Sequence, residues 1–297
     1  MKEIAIIGPT ASGKSDLALE AAKKHNAYIL SIDSLSIYKE IDIASAKPSA
    51  NELGEVEHFG INVLSPSEHF SVATFTKVYK KALSKAVKDS KNLIIVGGTG
   101  FYLKSLMSGL SEIPEITHET RAKAKGILKN LHNAYGLLFD ADPDYMRNIE
   151  KNDSYRIEKM LLLYFETGKT PSEWFKENPP TPIIQNLELF EIDVKREVLR
   201  ERISKRTKKM VGSGLIDEVA YLEQKYTRAP NCMKAIGITE VLDYLDGKIS
   251  KEEMTEAITT HTAQLAKRQQ TFNRNQFEKR AVFGSDKILK EIDKIFS

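Results

Sequence analysis

Cysteine is almost absent from this chain of 297 residues, which contains only Cys232. A single cysteine forms no internal disulfide and supplies no cysteine-based metal site. The six histidines show no spacing typical of metal ligands. We therefore expect neither a disulfide-stapled fold nor a zinc-type centre.

Long hydrophobic runs are also missing. Hydrophobic residues make up 41% of the chain, but no run approaches the roughly 20 apolar residues that a membrane-spanning helix needs. The first residues, MKEIAIIG, enter a strand-like segment directly, so we expect no signal peptide, no membrane association and a cytoplasmic location. The formal net charge is only +3, so nucleic-acid binding has to be argued from where the basic residues lie.

One phosphate-binding pattern is complete. The residues Gly8-Pro9-Thr10-Ala11-Ser12-Gly13-Lys14-Ser15 match G-x-x-x-x-G-K-[ST], with a strand-like segment before them and a helical one after. The glycines let successive backbone N–H groups point at phosphate oxygens, and the following helix adds its positive end. In this pattern Lys14 faces the phosphates and the Ser15 hydroxyl is placed to bind Mg²⁺.

A second acidic residue is lacking where ATP-using P-loop enzymes usually have one to hold Mg²⁺. The later strand-like segment LIIVGGTG ends in Gly97, Gly98 and Thr99 instead. This weighs against ATP hydrolysis, although some small-molecule kinases share the absence. The GGTG segment either forms a tight turn or lets the backbone come close to a ligand. In the second case the Thr99 hydroxyl would point into the site.

Asp33 follows the strand-like segment AYILSID. The carboxyl end of a strand in an open parallel sheet is where ligands bind. A carboxylate there can act as a general base or can cap a turn, and its position alone does not decide between the two. Arg121 opens a helical segment, and its position alone favours a solvated arginine over a binding one.

The pattern of elements predicts an α/β fold, with a P-loop parallel-sheet core that has helices on both faces. From Pro114 to Pro182 only helical patterns occur, and they end in the breaker cluster ENPPTP. We therefore expect an inserted small all-helical domain at 114–185, between core segments 1–113 and 186–297. A further strand is expected in LELFEIDV, followed by long helices to the C-terminus.

Basic residues concentrate in two predicted helices. The segment KREVLRERISKRTKK carries eight lysines and arginines, and it is either a solvated face with i,i+4 pairs or an RNA-binding surface. The segment LAKRQQTFNRNQFEKR interleaves basic residues with phenylalanines. That mixture favours contact with a polynucleotide, because cations neutralise phosphates and planar groups stack on unpaired bases.

Taken in order along the chain, these motifs resemble those of the bacterial tRNA dimethylallyltransferases, also called tRNA isopentenyltransferases. GPTASGKS is similar to the opening loop of that family, and SIDSLSIYKEIDIASAKPS to its D-S-x-Q-x-Y…I-x-T-A-K-P segment. The later matches are LIIVGGTGFYLKSLMSGL, NDSYRIEKMLLLYFETGKTPSEWF, MKAIGITE and AKRQQTFNR. The resemblance covers nearly the whole chain.

The resemblance implies a reaction. A dimethylallyl group passes from dimethylallyl diphosphate to N6 of the adenosine on the 3′ side of the anticodon, and diphosphate leaves. It implies that the N–H groups of Thr10 to Ser15, with Lys14 and Arg121, bind the diphosphate, and that Ser15 binds Mg²⁺. It further implies that Asp33 accepts the N6 proton and that Thr99 hydrogen-bonds at the reaction centre.

The resemblance also implies that the partner is the anticodon stem-loop of tRNA. We expect the enzyme to be a monomer. The tRNA-contacting residues carried over from the family pattern are Asp33, Ser34, Leu35, Ser36, Tyr155, Arg156, Lys159, Lys234, Gly237, Lys267, Arg268, Gln269, Phe272 and Arg274. Four departures from that pattern fall on this tRNA side: Ser36 replaces glutamine, Lys159 replaces arginine, Ile238-Thr239 replace Tyr-Arg, and Phe272-Asn273 replace Trp-Phe. None falls on the diphosphate loop, Asp33 or Thr99.

Two alternatives stay open at this point. A small-molecule kinase would use the same loop for ATP and Asp33 as base on a hydroxyl, against which stand the missing late-strand carboxylate and the basic C-terminal helix. A non-enzymatic P-loop protein that binds RNA would not need the intact combination of Lys14, Ser15 and Asp33.

Overall fold

The computed structural model describes residues 1–297. The chain forms two compact units, of which the first consists of 1–105 and 185–297 and the second of 106–184. The second unit begins at Leu106, earlier than the Pro114 boundary expected from the sequence. The reason is local: the Leu106 carbonyl accepts hydrogen bonds from the N–H groups of Ile183 and Ile184, so the chain closes on itself there.

The first unit is built on six strands. They are β1 (Glu3–Ile7), β2 (Ala27–Ser31), β3 (His58–Phe59), β4 (Asn92–Gly97), β5 (Glu188–Ile192) and β6 (Ala281–Phe283). All neighbours are parallel, in the order β3-β2-β4-β1-β5-β6. This confirms the predicted parallel-sheet α/β fold. The sequence did not predict β3 and β6, because segments of two and three residues are too short to show a strand period.

The helices run in the following order along the chain: α1 (Lys14–Lys24), α2 (Ala50–Glu55), α3 (Val72–Lys88), α4 (Gly100–Ser108), α5 (His118–Ile127), α6 (Leu131–Ala141), α7 (Pro143–Met146), α8 (Ser154–Thr167), α9 (Pro171–Glu177), α10 (Arg196–Gly212), α11 (Leu215–Tyr226), a 3₁₀ helix (Asn231–Lys234), α12 (Ile238–Leu245), α13 (Lys251–Gln276) and α14 (Ser285–Phe296). None of them combines the length and the apolar character that would let it cross a bilayer.

Helices cover both faces of the sheet, as expected. Alternate strand residues such as Ile4, Ile29 and Ile94 pack with α1 and α14 on one face. The residues between them, among them Ala5 and Ile95, are equally buried, and α3 packs against β2 and β4. Strands that are buried on both faces read as continuous apolar runs, which is why EIAII and NLIIV were recognisable in the sequence.

The second unit contains only helices, as the sequence predicted for this part of the chain. Its core includes Tyr135, Leu138, Ile157 and Leu161, so α6 and α8 supply much of it. Helix α6 begins at a polar cap, where the Asn130 side chain accepts the N–H of Asn133 at 3.2 Å.

The strand order brings three loops together at one edge of the sheet. The neighbouring strands β2, β4 and β1 end in the segments that begin at Asp33, Gly97 and Gly8. Gly97 leaves no room for a side chain, because a Cβ there would lie 2.6 Å from Cγ1 of Ile32 and 3.3 Å from the backbone nitrogen of Asp33. The carboxyl ends of these parallel strands therefore form one site.

Candidate active site

The loop Gly8–Ser15 has the shape of an anion cradle. Positive φ angles at Ala11 (65°) and Gly13 (91°) curl the backbone, and the N–H of Ser12 donates to the carbonyl of Pro9 at 3.1 Å. The N–H groups of Ala11, Gly13, Lys14 and Ser15 have no hydrogen-bond partner in the protein. Unpaired N–H groups in such a curl, at the start of α1, bind anions.

Lys14 is the first cation of the site. Its ammonium donates a hydrogen bond to the Pro9 carbonyl at 3.1 Å. Burial lowers the pKa of Lys14 to about 8; Asp33 opposes this shift, and Arg206 adds to it. A lysine so placed gains most from a bound anion, which would replace the solvation that the ammonium has lost.

Two arginines of α10 complete the positive charge around the loop. Nη1 of Arg202 donates to the carbonyl of Ser12 at 3.1 Å. Arg206 makes no hydrogen bond or ion pair in the protein, although burial lowers the pKa of its guanidinium and the carboxylate of Asp33 only partly offsets this. The sequence alone leaves the role of this basic helix open and does not place Arg202 or Arg206 in the site.

Asp33 has one oxygen engaged and one free. Its Oδ1 accepts the N–H groups of Leu35 at 2.8 Å and of Ser36 at 3.1 Å. Its Oδ2 makes no hydrogen bond in the protein, and the residue lines the same cavity as the loop. The two roles considered for Asp33 are therefore compatible, since one oxygen shapes the turn and the other is available to a proton.

A cavity of about 680 Å³ connects these groups. Its wall continues along the segment 45–48, where the Lys47 ammonium is held by Asp42 Oδ1 and Asn62 Oδ1, both at 2.7 Å. Glu52, another wall residue, accepts hydrogen bonds from Ser49. The wall also carries the exposed acids Asp16 and Glu20. Close to the loop, however, positive charge is in excess.

Helix α13 lies against both glycine-containing loops. Oε1 of Gln269 accepts the N–H of Thr10 at 2.8 Å, and the same amide group fills the space next to Gly98. One turn later, Phe272 and Asn273 occupy the space next to Gly100. Gln269 and Phe272, which the family resemblance assigns to tRNA, thus face the loops of the site in this structure.

Thr99 lies between these glycines but is not part of the cavity wall. Its carbonyl accepts the N–H of Tyr102 at 3.2 Å, and its hydroxyl makes no hydrogen bond in the protein. Ser36 is buried and its hydroxyl lies 3.3 Å from that of Ser31, whereas Ser34 is exposed and Leu35 is partly buried.

The outer side of α13 carries free cations. Lys267, Arg268 and Arg274 are exposed and form no ion pair in the protein. The first two line a groove along the helix together with polar side chains such as Thr271 and Asn275. Lys234, on the 3₁₀ helix, is also exposed, whereas Gly237 is buried and donates its N–H to Glu240 Oε2 at 2.6 Å.

The remaining predicted site residues lie in the second unit. Arg121 is exposed near the start of α5. At the start of α8, the side chain of Tyr155 is 69% exposed, and the Lys159 ammonium lies 5.5 Å from its ring centre. Arg156 faces Asp153 at 3.4 Å. This corner of the second unit presents an aromatic ring beside two cations.

The residues do not form a metal centre of their own. No group of three or more histidine, cysteine, aspartate or glutamate side chains is placed to hold an ion. Ser15 and Asp33 do line one cavity with the anion cradle. This donor set fits a Mg²⁺ ion that arrives with a diphosphate, because Mg²⁺ keeps several waters and takes phosphate oxygens together with one or two protein ligands.

The chain is similar to proteins of one family over most of its length. The IPP transferase family model matches residues 36–276. The chain is 61% identical to the tRNA dimethylallyltransferase of Sulfurimonas denitrificans over 94% of both chains, and 52% identical to that of Aliarcobacter butzleri over 100% of both.

Two solved structures are similar over most of their length. The tRNA isopentenylpyrophosphate transferase of Bacillus halodurans has a TM-score of 0.72 and 30% identity, with 99% of this chain and 95% of that chain covered. A eukaryotic dimethylallyltransferase acting on tRNA has a TM-score of 0.82 and 27% identity, with 96% and 74% covered. The match to the family's sequence model and the identity to these relatives show that the chain belongs to the IPP transferase family.

Proposed function

We propose that this protein is a tRNA dimethylallyltransferase, which moves the dimethylallyl group of dimethylallyl diphosphate to N6 of the adenosine on the 3′ side of the anticodon. The observation that carries the proposal is the half-buried Arg206, which has no partner in the protein and lies beside Lys14 and a loop of free N–H groups. A cation that has lost part of its hydration and has no partner in the protein gains from an anionic ligand that completes the site. The name of a similar solved structure, a tRNA isopentenylpyrophosphate transferase, supports a diphosphate as this anion.

The diphosphate is the part of the donor that the loop can hold. The N–H groups of Ala11, Gly13, Lys14 and Ser15 would bind its oxygens, and Lys14 with Arg206 would neutralise its charge. As the bond between the allylic carbon and oxygen breaks, negative charge grows on the leaving diphosphate. Donors that the fold already holds in place stabilise that charge without reorganising, which lowers the barrier.

The acceptor amine needs a base. An exocyclic adenine amine is a weak nucleophile until it gives up a proton, and Asp33 Oδ2 is free to accept one while Oδ1 remains fixed by two backbone N–H groups. The new bond joins N6 to the allylic carbon, the allylic C–O bond breaks, and the N6 proton passes to Asp33. We assign to Thr99 a hydrogen bond at this centre through its unpaired hydroxyl.

Mg²⁺ is a further part of the proposal. The Ser15 hydroxyl would hold it, and Asp33 lies along the same wall. When bound, the ion supplies positive charge to the diphosphate oxygens.

The RNA would be held by exposed cations and by stacking. Lys267, Arg268 and Arg274 suit the phosphates of an anticodon stem, and Tyr155 is exposed enough to stack on an unpaired base. The adenine has to leave the stack of the anticodon loop to reach Asp33. From its place in the family pattern, we assign to Arg121 an additional contact with the diphosphate. A tRNA substrate also places the enzyme in the cytoplasm.

A transfer assay separates this function from a kinase and from a protein that only binds RNA. The protein is incubated with total tRNA and either labelled dimethylallyl diphosphate or γ-labelled ATP. We expect only the dimethylallyl label to reach RNA. Asp33→Asn keeps the oxygen that accepts the two backbone N–H groups but loses the base, so transfer should fall by about 10²–10⁴-fold with tRNA binding retained. Transfer of the ATP label instead, or of neither label, would overturn the proposal.

The lowered pKa of Lys14 predicts a pH dependence of donor binding in the absence of RNA. The charged ammonium binds the diphosphate, and it is the form that the free protein loses as the pH rises through about 8. The Kd for dimethylallyl diphosphate should therefore increase above this pH, approaching about tenfold per pH unit. Calorimetric titrations between about pH 7 and 9.5 measure it. Lys14→Arg stays charged over this range and should show a flatter profile; equal profiles in the two proteins would contradict the role given to Lys14.

The surface of α13 predicts the salt dependence of RNA binding. Each lost phosphate contact lowers the slope of log K against log salt by about 0.7 to 0.9. The combined variant Lys267→Ala, Arg268→Ala and Arg274→Ala should therefore lose about two to three units of slope, measured by salt titration with an anticodon stem-loop. The matched control is Arg196→Ala with Arg200→Ala on α10. An unchanged slope in the first set, or an equal loss per residue in the control, would remove α13 from the RNA interface.

A further inference from the structure

Gln269 connects two parts of the molecule that must be correctly positioned relative to each other for the reaction. It belongs to α13, whose exposed side carries Lys267 and Arg268. Its own side chain points the other way, where Oε1 accepts the N–H of Thr10 at 2.8 Å. A single glutamine thus lies between the surface proposed for RNA and the loop proposed for diphosphate.

The same side chain also fixes the second glycine loop. A Cβ at Gly98 would lie 2.3 Å from Nε2 and 3.1 Å from Cδ of Gln269. Only a residue without a side chain lets the amide approach so closely. The group therefore bridges the loop after β1 and the loop after β4, which follow neighbouring strands of the sheet.

The far end of α13 is anchored firmly to the sheet. Nδ2 of the buried Asn273 donates to Glu191 Oε1 at 2.9 Å, and Arg280 pairs with the other oxygen of Glu191. Glu191 is itself buried on β5. Asn273 thus fixes α13 to the sheet one turn beyond Gln269.

We propose that Gln269 is a positioning residue that couples RNA binding on α13 to diphosphate binding in the Gly8–Ser15 loop. RNA phosphates on Lys267 and Arg268 restrict the motion of α13, Gln269 then holds the Thr10 N–H in place, and the loop keeps the curled form that binds diphosphate. When the RNA has already ordered the loop, the diphosphate binds without the entropy cost of ordering it. The two sites then show positive coupling. This inference rests on the proposed function, since it takes the loop to be the diphosphate site.

The test measures pyrophosphate binding by calorimetry, with and without a saturating anticodon stem-loop. In the native protein the RNA should tighten pyrophosphate binding by about five-fold or more. Gln269→Met keeps the bulk of the side chain next to Gly98 but cannot accept the Thr10 N–H, and Gln269→Ala removes both contacts. Both should reduce the effect of RNA on pyrophosphate binding to less than about two-fold. Gln224→Met, on an exposed position of α11, is the matched control and should keep the native coupling.

The contrary results are distinct. Coupling that persists in Gln269→Met would overturn the role of the hydrogen bond, and a loss of RNA affinity with coupling intact would make Gln269 an RNA contact instead. A native protein that binds pyrophosphate and transfers the dimethylallyl group, but shows no effect of RNA on pyrophosphate, would overturn this inference alone. A native protein that binds no pyrophosphate would overturn the proposed function as well.

Discussion

Lys14 and Arg206 hold two positive charges side by side in a cavity that removes much of their hydration. The resulting fall in the pKa of Lys14, from 10.5 to about 8, corresponds to about 3 kcal/mol of lost preference for the charged form. Asp33 offsets only part of this for either residue. An anion with two adjacent phosphates would restore the lost interactions, and this is the physical basis for our proposal that the loop holds a diphosphate.

The fold brings these charged side chains together at one edge of the sheet. Because β2, β4 and β1 are neighbours, Asp33, the GGTG segment and the Gly8–Ser15 loop emerge at one edge of the sheet. Helix α10 brings Arg206 to the same edge from far along the chain, and α13 seals the two glycine loops from the other side through Gln269 and Asn273. Asp33, the Gly8–Ser15 loop and helix α13 are thus parts of one packed arrangement.

The sequence predicted the cradle, Asp33 and the parallel sheet, because each depends on a local pattern: a spaced glycine-lysine motif, or an apolar run followed by a polar turn. It did not predict Arg206, because an arginine in the run RERISKRTKK looks solvated on composition alone. One signal was present: Arg206 follows Ile203 by three positions and Leu199 by seven, so it falls on the apolar stripe of α10. The contact between Gln269 and Thr10 spans 259 positions, and no local pattern encodes such a pairing.

Competition for the Gly8–Ser15 loop tests most directly whether this is a diphosphate site or a nucleotide site. Dimethylallyl diphosphate is titrated into the protein without RNA, alone and in the presence of pyrophosphate or ATP, and the binding constants are compared. Pyrophosphate should displace dimethylallyl diphosphate competitively, and ATP should bind no more tightly than pyrophosphate, because the groups that line the loop recognise phosphates and not adenine. ATP that binds far more tightly than either diphosphate would contradict this and would assign the loop to a kinase.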